Sequence, residues 1–153
     1  MSKATPITPD ERGRIAVNLY KFVLWADTLR IQFEQTLARD RIELDRRRMM
    51  KLQILDKTAI EADMYVRLWF GFLYVVVEGW PQLQLKQNQP LQIQELLMNP
   101  WSDLLRKFRN ATFHPADFDD ASVMDMVSMG RDSIDWAREL TIELKTYFES
   151  ILF

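Results

Sequence analysis

Apolar residues recur at Ile15, Leu19, Phe22, Ala26, Leu29 and Phe33, a three-four spacing that draws one continuous stripe along a helix. Before the stripe stands Thr8-Pro9-Asp10-Glu11, a helix start on three counts. Threonine caps free N–H groups, proline suits the first helical position, and a glutamate three residues on completes a capping box. No proline or glycine interrupts Arg14 to Phe70. The first helix is therefore expected to enter the arginine-rich stretch and to break between Arg39 and Met50.

A second helix is expected over Leu52 to Gly79. Its end, from Leu68 to Val77, is apolar nearly all round, the mark of the most buried helix of a domain. Val75-Val76-Val77 suits a strand by propensity, but the helical pattern on both sides outweighs it. Gly79-Trp80-Pro81 ends the helix. A glutamine-rich connection follows, with a short helix over Leu91 to Met98 stopped by Asn99-Pro100. The third main helix starts at Trp101, with Asn99 or Ser102 as its cap, and turns Leu104, Leu105 and Phe108 to the core.

Pro115 to Asp120 reads as a loop whose aspartates lead into the last helix. That helix presents Val123, Val127, Ile134, Ala137, Leu140, Leu144, Tyr147 or Phe148, and Ile151 on one side. Trp25, Trp69, Trp80 and Trp136 fall within apolar stripes and are expected in the core. No segment of strand period is long enough for a sheet. The pattern predicts an all-α fold, a four- to five-helix up-and-down bundle. One domain is expected over residues 1–153, with residues 1–8 flexible.

Composition narrows the classes. A chain with 48% hydrophobic and 27% charged residues is an ordinary globular one, which excludes disorder. The absence of cysteine removes disulfide frameworks and thiolate metal sites. The run from Leu68 to Val77 is shorter than a bilayer span, and the N-terminus has no apolar signal segment, so a cytoplasmic protein with no membrane partner is expected. A formal net charge of −2 gives no global footprint for nucleic acid. Two local basic stretches remain, Arg46-Arg47-Arg48 with Lys51, and Arg106-Lys107 beside Arg109. The first reads as a solvated helix face, because Asp40, Glu43 and Asp45 lie within pairing distance along the helix.

Most catalytic chemistries drop out. The four glycines stand singly, so there is no phosphate-cradling loop. With one histidine, a metal would need carboxylates such as Glu61 and Asp63, or Asp117, Asp119 and Asp120, and no Glu-x-x-His pair supports them. No metal and no cofactor is expected. No nucleophile elbow is present. The eight methionines read as fillers of irregular core gaps.

What remains is Arg109-Asn110-Ala111-Thr112-Phe113-His114, which contains the only histidine. Histidine exchanges a proton near neutrality, and arginine offers a planar fork matched to phosphate oxygens. Asn110 and His114, four residues apart, share a helix face, whereas Arg109 is about 140° from His114 on an unbroken helix. Pro115 disfavours helical geometry at His114, which lets the two groups converge. On spacing alone, a helix terminus with a solvated Arg109 and a His114 bonded to the last carbonyls accounts for the motif equally well.

The arrangement Arg109-Asn110-x-x-x-His114, late in a helix of an all-α domain and followed by one long last helix, resembles the HEPN superfamily. Val77-Glu78-Gly79-Trp80, Leu104 to Asn110 and the tryptophan-bearing Trp136-Ala137-Arg138 are similar to bacterial members, so the likeness runs from about Leu68 to the C-terminus. The resemblance implies a metal-independent endoribonuclease that works as a homodimer with the motif at the interface. It implies catalytic roles for Arg109 as phosphate holder, Asn110 as orienting group and His114 as acid–base. Arg106 and Lys107 sit in no family motif and are candidate RNA backbone contacts. RNA and a second copy are the expected partners. An antitoxin or defence-system partner would accompany a prokaryotic toxin–antitoxin, stress or phage-defence setting. Toxin members commonly carry a tyrosine two residues after the histidine, where this chain has Ala116. A second reading, from a different class, is a non-catalytic HEPN-like helical module that binds a protein partner or a nucleotide. The modest net charge favours it.

Overall fold

The first helix, α1 (Pro9–Met50), begins at its capping box. The Glu11 backbone N–H donates to the Thr8 hydroxyl at 3.2 Å, and the Thr8 backbone N–H donates to the Glu11 carboxylate at 2.8 Å. That bond to the Thr8 N–H, with the Thr8 hydroxyl, holds the Glu11 carboxyl below its ordinary pKa. The expected break between Arg39 and Met50 does not occur, and α1 is continuous to Met50. Arginine, leucine, glutamate and methionine, strong helix formers, dominate that stretch, and neither glycine nor proline interrupts the ladder.

This computed structural model describes residues 6–50, 57–113 and 131–153. Among them are four further α-helices and no strand: α2 (Lys57–Gly79), α3 (Leu91–Met98), α4 (Trp101–Phe113) and α5 (Arg131–Leu152). The fold is the expected all-α bundle. No helix of the described residues is long and apolar enough to cross a membrane. Val75-Val76-Val77 is helical. Two 3-10 turns, Trp80–Leu83 and Lys86–Asn88, carry the chain from α2 to α3. Of the two candidate caps for α4, Asn99 does the work, its side-chain oxygen accepting from the Trp101 N–H at 3.0 Å. Residues 52–56, expected in the second helix, and Val123 and Val127, expected in the last, lie outside the described residues.

The core forms around α2. Val23 and Ala26 of α1, Trp69, Leu73 and Val76 of α2, and Ala137, Leu140, Leu144 and Phe148 of α5 have no exposed surface. Burial of each large side chain stabilises the bundle by roughly 1.5–3 kcal/mol. Leu105 and Phe108 bring α4 into the same cluster. Short α3 is pinned by Trp136 of α5, whose indole N–H donates to the Leu96 carbonyl at 3.0 Å. Where α1 crosses the end of α2, a Cβ on Gly79 would fall 2.5 Å from a methyl of Leu19, so a larger residue there would make Leu19 shift.

Two apolar residues expected to pack inward do not. Trp25 is 49% exposed although its ring meets Phe22 and Phe72 edge-on, and Ile151 is 48% exposed. Phe148, not Tyr147, is the fully buried one of its pair.

A charged seam closes α1 on α5. Asp27 is 5% exposed and accepts from Arg30 at 2.7 Å and Lys145 at 2.9 Å. Arg138 of α5 reaches Glu34 of α1 at 2.6 Å, and Arg30 reaches the same glutamate at 3.0 Å. Burial pushes the Asp27 carboxyl pKa up, but the hydrogen bonds from Lys145 and Arg30 outweigh it and hold the pKa below its ordinary value. The Asp27 hydrogen bond raises the pKa of Lys145.

Because the folded Asp27 pKa is depressed, its contribution is complete above the unfolded value of about 4 and is lost as pH falls through the folded one. Lys145, raised, loses its contribution only as pH climbs past about 10.4 and through its folded value. Asp27→Asn is expected to cost about 1–3 kcal/mol at neutral pH and to flatten the acid limb of stability against pH. Denaturant melts at a series of pH values check both.

Candidate functional site

Helix α4 is strongly two-sided. Leu105 and Phe108 face the core while Asp103, Arg106 and Lys107 are exposed. Its register against α2 is fixed by a reciprocal pair of cation–aromatic contacts. The Arg67 guanidinium of α2 lies 5.6 Å from the Phe108 ring centre of α4. In return, the Arg109 guanidinium of α4 lies 5.7 Å from the Tyr74 ring centre of α2. Arg67 is further fixed by Asp63 at 2.7 Å, which commits one of the acidic side chains that composition offered to a metal.

Arg109 and Asn110 are both half-buried and bonded to one another, the guanidinium donating to the amide oxygen at 3.1 Å. Among the described residues no carboxylate pairs with Arg109. Its planar fork is thus held from one side by Tyr74 and steered by Asn110, with donors left for an anion. Asn110 acts on Arg109 in this arrangement, a partnership that the spacing to His114 did not suggest.

Helical spacing sorts the neighbours. Arg106, Arg109, Asn110 and Phe113 follow one another at i, i+3, i+4 and i+7 and share one side of α4. Lys107 is two residues from Arg109, about 160° round the helix, and belongs to the other side. Arg106 is therefore placed to extend the same surface and Lys107 is not. His114 lies outside the described residues, as do Pro115, Ala116, Asp117, Asp119, Asp120 and the side chains of Arg46, Arg47, Arg48 and Lys51. Helix α4 is described through Phe113, one residue before the histidine.

Tyr74 and Gly71 are site residues that the sequence did not single out. Both sit inside the apolar run that reads as core, yet Tyr74 supports Arg109 and Gly71 receives the Phe113 ring. A Cβ on Gly71 would fall 2.9 Å from the Phe113 Cε2. The signal for them was the single hydroxyl and the single glycine in that run. Set against known protein families, characterised proteins and solved structures, the chain matches none.

Removing the ring from Tyr74 should loosen Arg109 without unfolding the bundle. A double-mutant cycle of Tyr74→Leu and Arg109→Gln is expected to give a coupling of about 0.5–1 kcal/mol in stability. A coupling indistinguishable from zero would mean that the stacking does not position Arg109.

Proposed function

We propose that the chain is a HEPN-type, metal-independent endoribonuclease that acts as a homodimer, in a prokaryotic toxin–antitoxin, stress or phage-defence setting. Arg109 carries the reading. It is a half-buried arginine, stacked on Tyr74 and bonded to Asn110, with no acidic partner among the described residues. Holding an arginine this way suits the recognition of a phosphate and is more than a solvated helix terminus requires.

The reaction needs few parts. The 2′-hydroxyl of one nucleotide attacks the neighbouring phosphorus while a base takes its proton. The bond to the next nucleotide's 5′-oxygen breaks, and that oxygen leaves with a proton from an acid. The products are a 2′,3′-cyclic phosphate and a free 5′-hydroxyl, with no oxidant, reductant or metal in the balance. Arg109 neutralises the charge that builds on the phosphoryl oxygens. The resemblance assigns the proton transfers to His114. One chain carries one histidine, so a base and an acid of that type require two copies.

A surface for the second copy adjoins Arg109. Ile60, Met64, Leu68, Phe72 and Val75 line the outward side of α2, with Trp25 of α1 at 5.4 Å from Phe72. Ile60, Met64 and Trp25 are exposed and Leu68, Phe72 and Val75 half-buried, a contiguous apolar patch of the kind that marks an interaction surface. The alternative is a non-catalytic helical module that binds a protein partner, such as an antitoxin, or a nucleotide. The formal net charge of −2, low for an enzyme of bulk RNA, favours it.

Purified protein incubated with RNA in EDTA decides between them. Cleavage is expected, with cyclic phosphate ends. His114→Ala should lose about 10²–10⁴-fold of the rate, and Arg109→Ala a similar share. Cleavage absent from the wild type would favour the binding module, and cleavage unchanged in His114→Ala would overturn the HEPN-type mechanism.

A further inference from the structure

Phe113 ends α4 with half of its surface open to solvent, at 50% exposure. An exposed ring at a helix end is unremarkable by itself, but this one is seated. Its Cε2 and Cζ lie where a Cβ on Gly71 would stand, at 2.9 and 3.5 Å from that position. The ring therefore rests against α2 where Gly71 offers no side chain, and a Cβ there would displace it.

Arg109 stands one helical turn before Phe113 and on the same side of α4. The supports repeat the pattern, since Tyr74, under Arg109, is one turn from Gly71, under Phe113, on α2. A fixed ring and a fixed guanidinium thus lie about 5–6 Å apart at their Cβ atoms, by the geometry of neighbouring turns. A ring and a phosphate-binding group therefore stand on neighbouring turns, the order in which a nucleotide presents its base and its phosphate. Tyr74 is itself packed against the buried core, which leaves Phe113 as the available stacking ring of the pair.

We infer that Phe113 is a stacking site for an unpaired nucleobase next to the phosphate held by Arg109. The inference rests on the ribonuclease reading. A base must leave its helix to stack on a protein ring, so paired RNA cannot use this site, whereas any unpaired base can. Recognition at this position is tolerant of base identity because every base offers a π face.

The test uses the purified full-length chain and a short single-stranded RNA carrying one 2-aminopurine, scanned along its length, beside a duplex of the same sequence. Quenching of 2-aminopurine at a single position next to the cleaved bond is expected in the wild type. Phe113→Leu should abolish that quenching and weaken single-strand binding roughly 5- to 100-fold, the range for loss of one stacked base. Phe113→Tyr should retain both. Gly71→Ala, which keeps the ring but displaces it, should fall between them.

Wild-type cleavage of single strand and duplex at equal rates would overturn the inference. So would a Phe113→Leu chain that binds like the wild type, or one whose loss tracks a change in oligomeric mass. If the wild type neither binds nor cleaves RNA, the ribonuclease reading falls first. If it cleaves and Phe113→Leu is unaffected, only the stacking site falls.

Discussion

The indole of Trp69 cannot be buried at no cost unless its N–H finds an acceptor, and the acceptor is on another helix. Trp69 has no exposed surface, and its Nε1 donates to the Thr141 hydroxyl of α5 at 2.9 Å. The same ring lies 6.0 Å from Phe33 of α1 and 5.0 Å from Phe70, which in turn lies 5.1 Å from Phe108 of α4. Three helices are thereby referenced to one side chain. Thr141 completes the arrangement by donating its own hydroxyl to the Ala137 carbonyl at 2.7 Å, so neither polar group is stranded in the core. The placement of α4, and with it Arg109, follows from this junction.

Helix α2 is apolar nearly all round, yet it is not covered all round. Trp69, Phe70, Leu73 and Val76 are buried, while Met64 is 46% exposed and Leu68 and Val75 are only half-buried. The uncovered side borders the row of Arg106, Arg109, Asn110 and Phe113. Apolar surface and cationic groups thus lie side by side on one face of the bundle.

The elements with strong local signals were legible in the sequence. Thr8 and Glu11 make the capping box they announce, α3 spans Leu91–Met98, and α4 spans Trp101–Phe113. The break in α1 was misplaced because no residue between Arg39 and Met50 forces one, and helix propensity carries the chain on. Trp25 and Ile151 were misread because a stripe shows which side of a helix is apolar, not how much of each side chain its neighbours cover. Asp27, a buried charge, carries no mark of burial in the sequence. Its partners Arg30 and Lys145 are 3 and 118 residues away, and only folding brings the second to it. At the site, Arg109 and Asn110 stood out as residue types, but their support did not. Tyr74 and Gly71 are separated from Arg109 by more than thirty residues of sequence, and contacts between helices are invisible to spacing along one.

The seam between α1 and α5 has a consequence for how the chain folds. Its two cross-helix bridges join residues 104 and 118 positions apart, the widest separations of any side-chain bridge between the described helices save Tyr20 to Glu149 at 129. Closing a loop of that length is entropically unfavourable until the intervening helices have docked. Helices α1 and α2 are neighbours in sequence and can pair early, whereas the seam joins the chain's two ends and forms late. Interactions formed after the barrier govern how fast a protein comes apart, not how fast it assembles. Loss of a bridge at Asp27 or Glu34 is thus expected to appear mainly as faster unfolding.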